Sequence, residues 1–198
     1  MPVPAAAAAN RAADTDGGSW SIATPEAIFE VDAGTAAELV EVVERLTREF
    51  PEVPLDGHDL LVRAELEMRR CSPELLATLV SFRLLGSADG VLLIRGLPVD
   101  DPLPPTPPDG SFRQPWRTLP ISTITQLMML SVLGDVISYA DEKGGCLIQD
   151  ICPVPGAETR QENIGSCLLE LHTEDGFHPN KPHFLSLFGL REIGRAHV

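Results

Sequence analysis

The 198-residue sequence has no run of the roughly twenty apolar residues that a membrane-spanning helix needs. It is also short of cations: 15 Lys and Arg stand against 29 Asp and Glu, giving a formal net charge of −14 and a pI near 4.6. With no basic patch to offset that field, neither nucleic acid nor an anionic membrane surface is an expected partner. Cys71, Cys146, Cys152 and Cys167 form no CxxC pair, which argues against a zinc ribbon and leaves them to be read as small buried hydrophobes. The first twenty residues lack a positively charged n-region, and their alanine run is short and weakly apolar, so no secretory signal is expected. A cytoplasmic chain follows from these absences. No internal repeat points to a solenoid.

Hydrophobic residues make up 43% of the chain, enough to pack one domain of ordinary size. Residues 1–19, rich in Ala, Gly and Asp, have no period and are expected to form a disordered tail. Order is expected to begin near "AIFEVD". Thr35 with Glu38 three residues later forms a capping-box signal, after which Leu39, Val43, Leu46 and Phe50 fall on one helical face. A second helical pattern covers His58 to Arg70. A third follows Ser72, with Pro73 in its first turn and Gly86 as its stop.

Composition changes at "GVLLIRGLPVDD", which reads as a buried strand, and strands are expected to dominate from there. "PLPPTPPDG" must be an extended surface loop. "ISTITQLMMLSVLGD" is an apolar helix starting near Ser122 or Thr123, with Met128 and Met129 as core filler rather than a cofactor site. "VISYADEKGGCLIQDI" predicts a hairpin around Gly144 and Gly145. "SCLLELHTED" and "HFLSLFGLR" are two further strand candidates.

The segment "LHTEDGFHP" is the candidate for chemistry. In a strand, residues i and i+2 share a face, so His172 and Glu174 project together while Thr173 turns away. An imidazole and a carboxylate suit iron, zinc or manganese, and two histidines with one carboxylate form the facial arrangement of non-haem iron(II) oxygen chemistry. A polar edge strand with no ligand role is the other reading of the same triplet. Among the remaining polar groups, His178 reads as a loop histidine beside a pocket and His183 as facing loop or solvent. His58 has no visible partner, and Asp175 reads as a structural hydrogen-bonding residue.

"HTEDGFHP" after "QENIGSCLLEL" resembles the clavaminate synthase-like family of iron(II)- and 2-oxoglutarate-dependent oxygenases, nearest to its β-hydroxylases of free amino acids of the arginine and asparagine type. The likeness extends upstream through "LLIRGLPVDD", "WRT", "LMMLSVLGDV" and "IQDICPVPG" in the family's order, covering Gly90 to Arg191. The resemblance implies an α+β protein: a double-stranded β-helix, or jelly roll, with N-terminal helices. His172 and Glu174 take the metal-ligand positions. Glu142 falls where the subgroup places a Gln or Glu near the substrate's α-amino group, and Gln161 and Asn163 lie on the segment lining its substrate pocket. The implied cofactors are Fe(II), 2-oxoglutarate as co-substrate and O2. The implied activity is hydroxylation of an unactivated carbon, the β-carbon, of an amino acid in specialised metabolism.

The family's second histidine ligand and the arginine for 2-oxoglutarate lie further along its fold than this sequence reaches, so the C-terminal part of the core is expected to be missing. "EIGRAHV", Glu192 to Val198, matches the conceptual translation of a sequencing adapter, so 192–198 are expected to be a non-native tail and 20–191 the N-terminal portion of one oxygenase domain. The intact parent would then be the enzyme, and the fragment inactive. Two alternatives stay open: a non-catalytic jelly-roll module binding a small molecule or metal, and a hydrolytic or isomerising enzyme using the pair as a Lewis-acid site.

Overall fold

A computed structural model describes residues 27–111, 115–168, 172 and 176–191. The expected tails at 1–19 and 192–198 lie outside the described residues, as do Glu174 and Asp175. Within them the order is β1 (Ile28–Glu30), α1 (Ala33–Glu49), α2 (His58–Met68), α3 (Pro73–Leu85), β2 (Leu93–Arg95), α4 (Pro115–Thr118) and α5 (Pro120–Leu133).

Helix α5 is the centre of this fold. Its sequence is apolar or small on every face, so it can be covered all round, and α1, α2, α3 and α4 pack against it. Ile124, Leu127, Met128 and Val132 are fully buried, and Met129 nearly so, which bears out the reading of both methionines as core. Leu39, Val42, Val43 and Leu46 of α1 meet them, joined by Ala64 and Met68 of α2 and by Leu75 and Leu79 of α3.

Each helix end has its own chemistry. For α1 the cap is Asp32, whose carboxylate accepts the Thr35 N–H at 2.8 Å, so the helix begins one turn before the expected Thr35–Glu38 box. That bond holds the Asp32 carboxyl below its usual range. Helix α3 starts and stops as expected, with the Ser72 hydroxyl on the Leu75 N–H, Pro73 in the first turn and Gly86 at positive φ. Helix α5 has no side-chain cap from its own flank. Asp100, 22 residues upstream, does this instead: its carboxylate accepts the Ile121 and Ser122 N–H groups, both at 2.9 Å, and the Ser122 hydroxyl at 2.6 Å.

Glu67, buried on α2, is ion-paired with three guanidinium groups: Arg45 from α1 at 2.5 Å, Arg63 at 3.0 Å and Arg70 at 3.4 Å. A buried carboxylate is tolerable here because its charge is paired on several sides. Cys71 follows this helix in a buried position; burial first, then the Glu38 and Glu67 charges, pushes its thiol up to about 11. The buried-hydrophobe reading holds for Cys71 alone. Cys152 is half-buried, and Cys146 and Cys167 are exposed.

The β-strand expectations need correction. β2 pairs in parallel with β1, Phe29 opposite Ile94, and both have half-buried centres with exposed flanks rather than forming a buried strand. No hairpin forms about Gly144 and Gly145. Both adopt positive φ, as a tight turn requires, but they end a closed loop with a 3-10 turn at Lys143–Gly145 instead of joining two ladders. Residues 183–190 are extended and alternate strictly, with Phe184, Ser186, Phe188 and Leu190 half-buried between exposed neighbours. Their inner face rests on the helices: Phe184 packs 5.8 Å from Phe82, and the Gln126 amide donates to the Ser186 carbonyl and hydroxyl. The period of a strand is therefore present without a ladder partner among the described residues. Hence the described part of the molecule is mostly helical, with one two-stranded sheet. No described helix is long and apolar enough to cross a membrane.

Candidate functional site

The predicted site residues sit on three segments that follow α5. Glu142 lies on the first, a closed excursion over residues 138–145. The Tyr139 carbonyl accepts the Glu142 N–H at 3.0 Å, the Glu142 carbonyl accepts the Gly145 N–H at 2.8 Å, and the Ser138 hydroxyl closes the base on the Gly145 carbonyl at 2.7 Å. These bonds place Glu142 at the apex with its side chain exposed. An exposed turn carboxylate and a substrate anchor both fit this position.

Gln161 and Asn163 lie on the second segment, residues 150–168. The Cys152 N–H donates to the Asn163 carbonyl and the Val154 N–H to the Ile164 carbonyl, both at 2.9 Å, so the segment folds back on itself. Gly110 presses against this bend. At φ +76 an added Cβ would come within 2.6 Å of the Ile164 side chain and 2.9 Å of Val154, a close approach that only glycine permits. Asn163 is consequently half-buried while Gln161 stays exposed.

On the third segment His172 is exposed, and its intended partner Glu174 lies outside the described residues. The donor set itself fits iron: a neutral imidazole nitrogen and a carboxylate oxygen are the ligand types that hold Fe(II) while leaving positions for co-substrate. Among the described residues no group of three His, Cys, Asp or Glu comes together to hold a metal ion. His178 lies beyond the pair in a hydrogen-bonded turn, exposed, its ring 4.4 Å from that of Tyr139. His183 is exposed, in line with its reading as facing loop or solvent, and His58 is exposed at the start of α2. A shallow depression between Val43, Thr47, Arg48 and Ile121 contains none of the predicted residues.

No family model matches the chain. Curated proteins do. L-asparagine oxygenase of Streptomyces coelicolor is 44% identical over 122 residues, 60% of this chain and 36% of that one. L-lysine 3-hydroxylase of Catenulispora acidiphila is 34% identical over 190 residues, 92% of this chain and 52% of that one. Clavaminate synthase 2 of Streptomyces clavuligerus is 36% identical over 144 residues, 72% of this chain and 44% of that one. The chain belongs to the clavaminate synthase-like iron(II)/2-oxoglutarate oxygenase family.

Among solved structures, asparagine oxygenase in complex with Fe(II), 2S,3S-3-hydroxyasparagine and succinate superimposes with a TM-score of 0.71 at 33% identity. The match covers 79% of this chain and 49% of that one. The chain thus spans about half the length, or less, of the relatives it matches. The jelly-roll expectation stands as a likeness to part of such oxygenases, alongside the mostly helical content of the described residues.

Two features of this region had no sequence signal strong enough to single them out. Asp100 was hidden because its partners are 21 and 22 residues away. Tyr139, the only tyrosine of the chain, bridges to Asn180 over 41 residues. Its rarity was the available clue.

Proposed function

We propose that this chain supplies the substrate-gathering half and two metal ligands of an iron(II)/2-oxoglutarate-dependent amino-acid hydroxylase. The observation that carries the proposal is the His172–Glu174 pair, set in a chain related to amino-acid oxygenases and hydroxylases. His172 and Glu174 would hold the iron through Nε2 or Nδ1 and a carboxylate oxygen. When bound, iron supplies the oxygen chemistry, in which 2-oxoglutarate and O2 are consumed, succinate and carbon dioxide leave, and one oxygen atom enters a C–H bond of the amino acid.

The protein's own contribution is placement. Glu142 at the apex of its loop is the counter-ion for the substrate's α-ammonium, a charge-assisted contact that fixes one end of a small zwitterion. Asn163, held by the bend on Cys152, and Gln161 supply amide donors and acceptors along the same substrate. With the ammonium fixed, the β-carbon is the nearest C–H-bearing position on the side chain, which favours β-hydroxylation. No specific feature of the described residues favours the non-catalytic module.

The test is a panel of free amino acids offered to the full-length gene product with Fe(II), 2-oxoglutarate and O2. One or a few should gain one oxygen atom on the β-carbon, with an equal yield of succinate. Glu142→Ala should raise KM for the amino acid by roughly ten- to a hundredfold, the loss of one charged contact, without altering 2-oxoglutarate affinity. Absence of any amino-acid-dependent succinate would overturn the proposal.

A further inference from the structure

Tyr139 joins two segments that the proposed reaction must hold in register. It lies in the 138–145 loop, and its carbonyl receives the Glu142 N–H at 3.0 Å, so a backbone bond ties Glu142 to Tyr139. Its hydroxyl donates to the Asn180 carbonyl at 2.8 Å, and its ring meets the His178 ring with centroids 4.4 Å apart and planes at 55°. The turn it grips is itself closed. The Asn180 N–H donates to His178 Nδ1 at 3.1 Å, and the Lys181 N–H donates to the His178 carbonyl at 3.2 Å. A neutral His178 therefore carries its proton on Nε2, leaving Nδ1 as acceptor. The turn begins at the fourth residue after Glu174.

We propose that Tyr139 and His178 form a staple that sets the distance between the Glu142 loop and the segment following the His172–Glu174 pair, and thereby decides which C–H bond is presented. Tyr139 is a positioning residue. The inference rests on the hydroxylase reading above, because only there does the spacing between an ammonium anchor and a metal pair matter. In an amino acid the nitrogen and the β-carbon are both bonded to the α-carbon, so the substrate tolerates little slack, and a misplacement of about 1 Å can cost on the order of a hundredfold in rate. Two weak contacts from one side chain are enough to remove that slack when each fixes a different coordinate: the ring contact sets the lateral position, and the hydroxyl sets the height over the turn.

The only tyrosine of the chain is its own reporter. In full-length protein labelled with fluorotyrosine, each other tyrosine outside this chain would be assigned by its own Phe variant, leaving the Tyr139 resonance identified. His178→Ala should shift that resonance with no iron, co-substrate or substrate present; an unmoved resonance means the contact does not exist, and overturns the staple. In turnover, Tyr139→Phe keeps the ring and loses the hydroxyl, whereas Tyr139→Leu loses both. Expected are a three- to tenfold excess of succinate over hydroxylated amino acid in Phe and a larger excess in Leu, with unchanged Fe(II) and 2-oxoglutarate affinity and unchanged melting temperature. A ratio of one in both variants overturns the positioning role, as does a loss explained wholly by a lower melting temperature. If the unsubstituted protein makes no succinate with any amino acid, the hydroxylase reading fails and the staple's role with it, a result visible before any variant is made.

Discussion

The helices up to Leu133 and the loops beyond it spend their residues differently. In the first region apolar side chains repeat every three or four positions, Asp32, Ser72 and Asp100 cap α1, α3 and α5, and buried Glu67 is ringed by arginines. In the second, extended segments are held by single side chains reaching across long sequence separations: Tyr139 to Asn180, Gln126 to Ser186, Arg191 to Thr106. Packing is concentrated in the first, and the proposed site residues lie in the second. A rigid helical block can carry a set of loops whose geometry answers to ligands rather than to packing.

The largest effects should therefore fall on α5. Leu127→Ala opens a cavity on a helix covered from all sides and should cost roughly 2–5 kcal/mol. Leu187→Ala, on the outward face of the alternating segment and 74% exposed, should stay within about 0.5 kcal/mol. Paired denaturant melts give both values, and similar losses would erase the contrast between the regions.

Glu67→Ala comes next. It leaves three arginines facing one another across α1 and α2, but those side chains are 36–63% exposed and water screens them. About 2 kcal/mol is expected, below the 3–5 kcal/mol of a fully buried pair. A melt in low and high salt checks the assignment, since salt should narrow the difference between variant and parent.

Smallest is the effect of Asp32. Its carboxyl is lowered by the Thr35 N–H, so its contribution is complete above its unfolded-state value near 4 and disappears as pH falls through its lower folded-state value. Asp32→Asn keeps a cap without a charge. Melting temperature against pH should accordingly change little at neutrality and show a flatter acid limb below about pH 4.

What could be read in advance follows the same division. Ser72, Pro73 and Gly86 delimit α3 because helix signals are local, each acting within a turn of its target. Met128 and Met129 were legible as core from the apolar run around them. The region after Leu133 was misread because strand signals announce only half of a bond. "HFLSLFGLR" has the alternation of a strand, and its residues do alternate, but a ladder requires a partner that no local pattern names. At Gly144–Gly145 the glycines forecast the turn correctly and its context wrongly, since the closing bonds come from Ser138 and Tyr139 rather than from flanking strands. His172 and Glu174 stood out because the role proposed for them is written in their spacing. Tyr139 and Asp100 did not, because theirs depends on contacts made far along the chain.

The central claim is that His172 and Glu174 hold the iron on which the proposed hydroxylation depends. Its most direct measurement is Fe(II) binding under anaerobic conditions by full-length protein, His172→Ala and Glu174→Ala, followed by calorimetry with melting temperature as the control for folding. The account predicts one iron per unsubstituted chain and at least a hundredfold weaker binding in each variant, consistent with loss of a coordinating group rather than an outer-sphere contact, at unchanged melting temperature. Full-strength iron binding by either folded variant would contradict it.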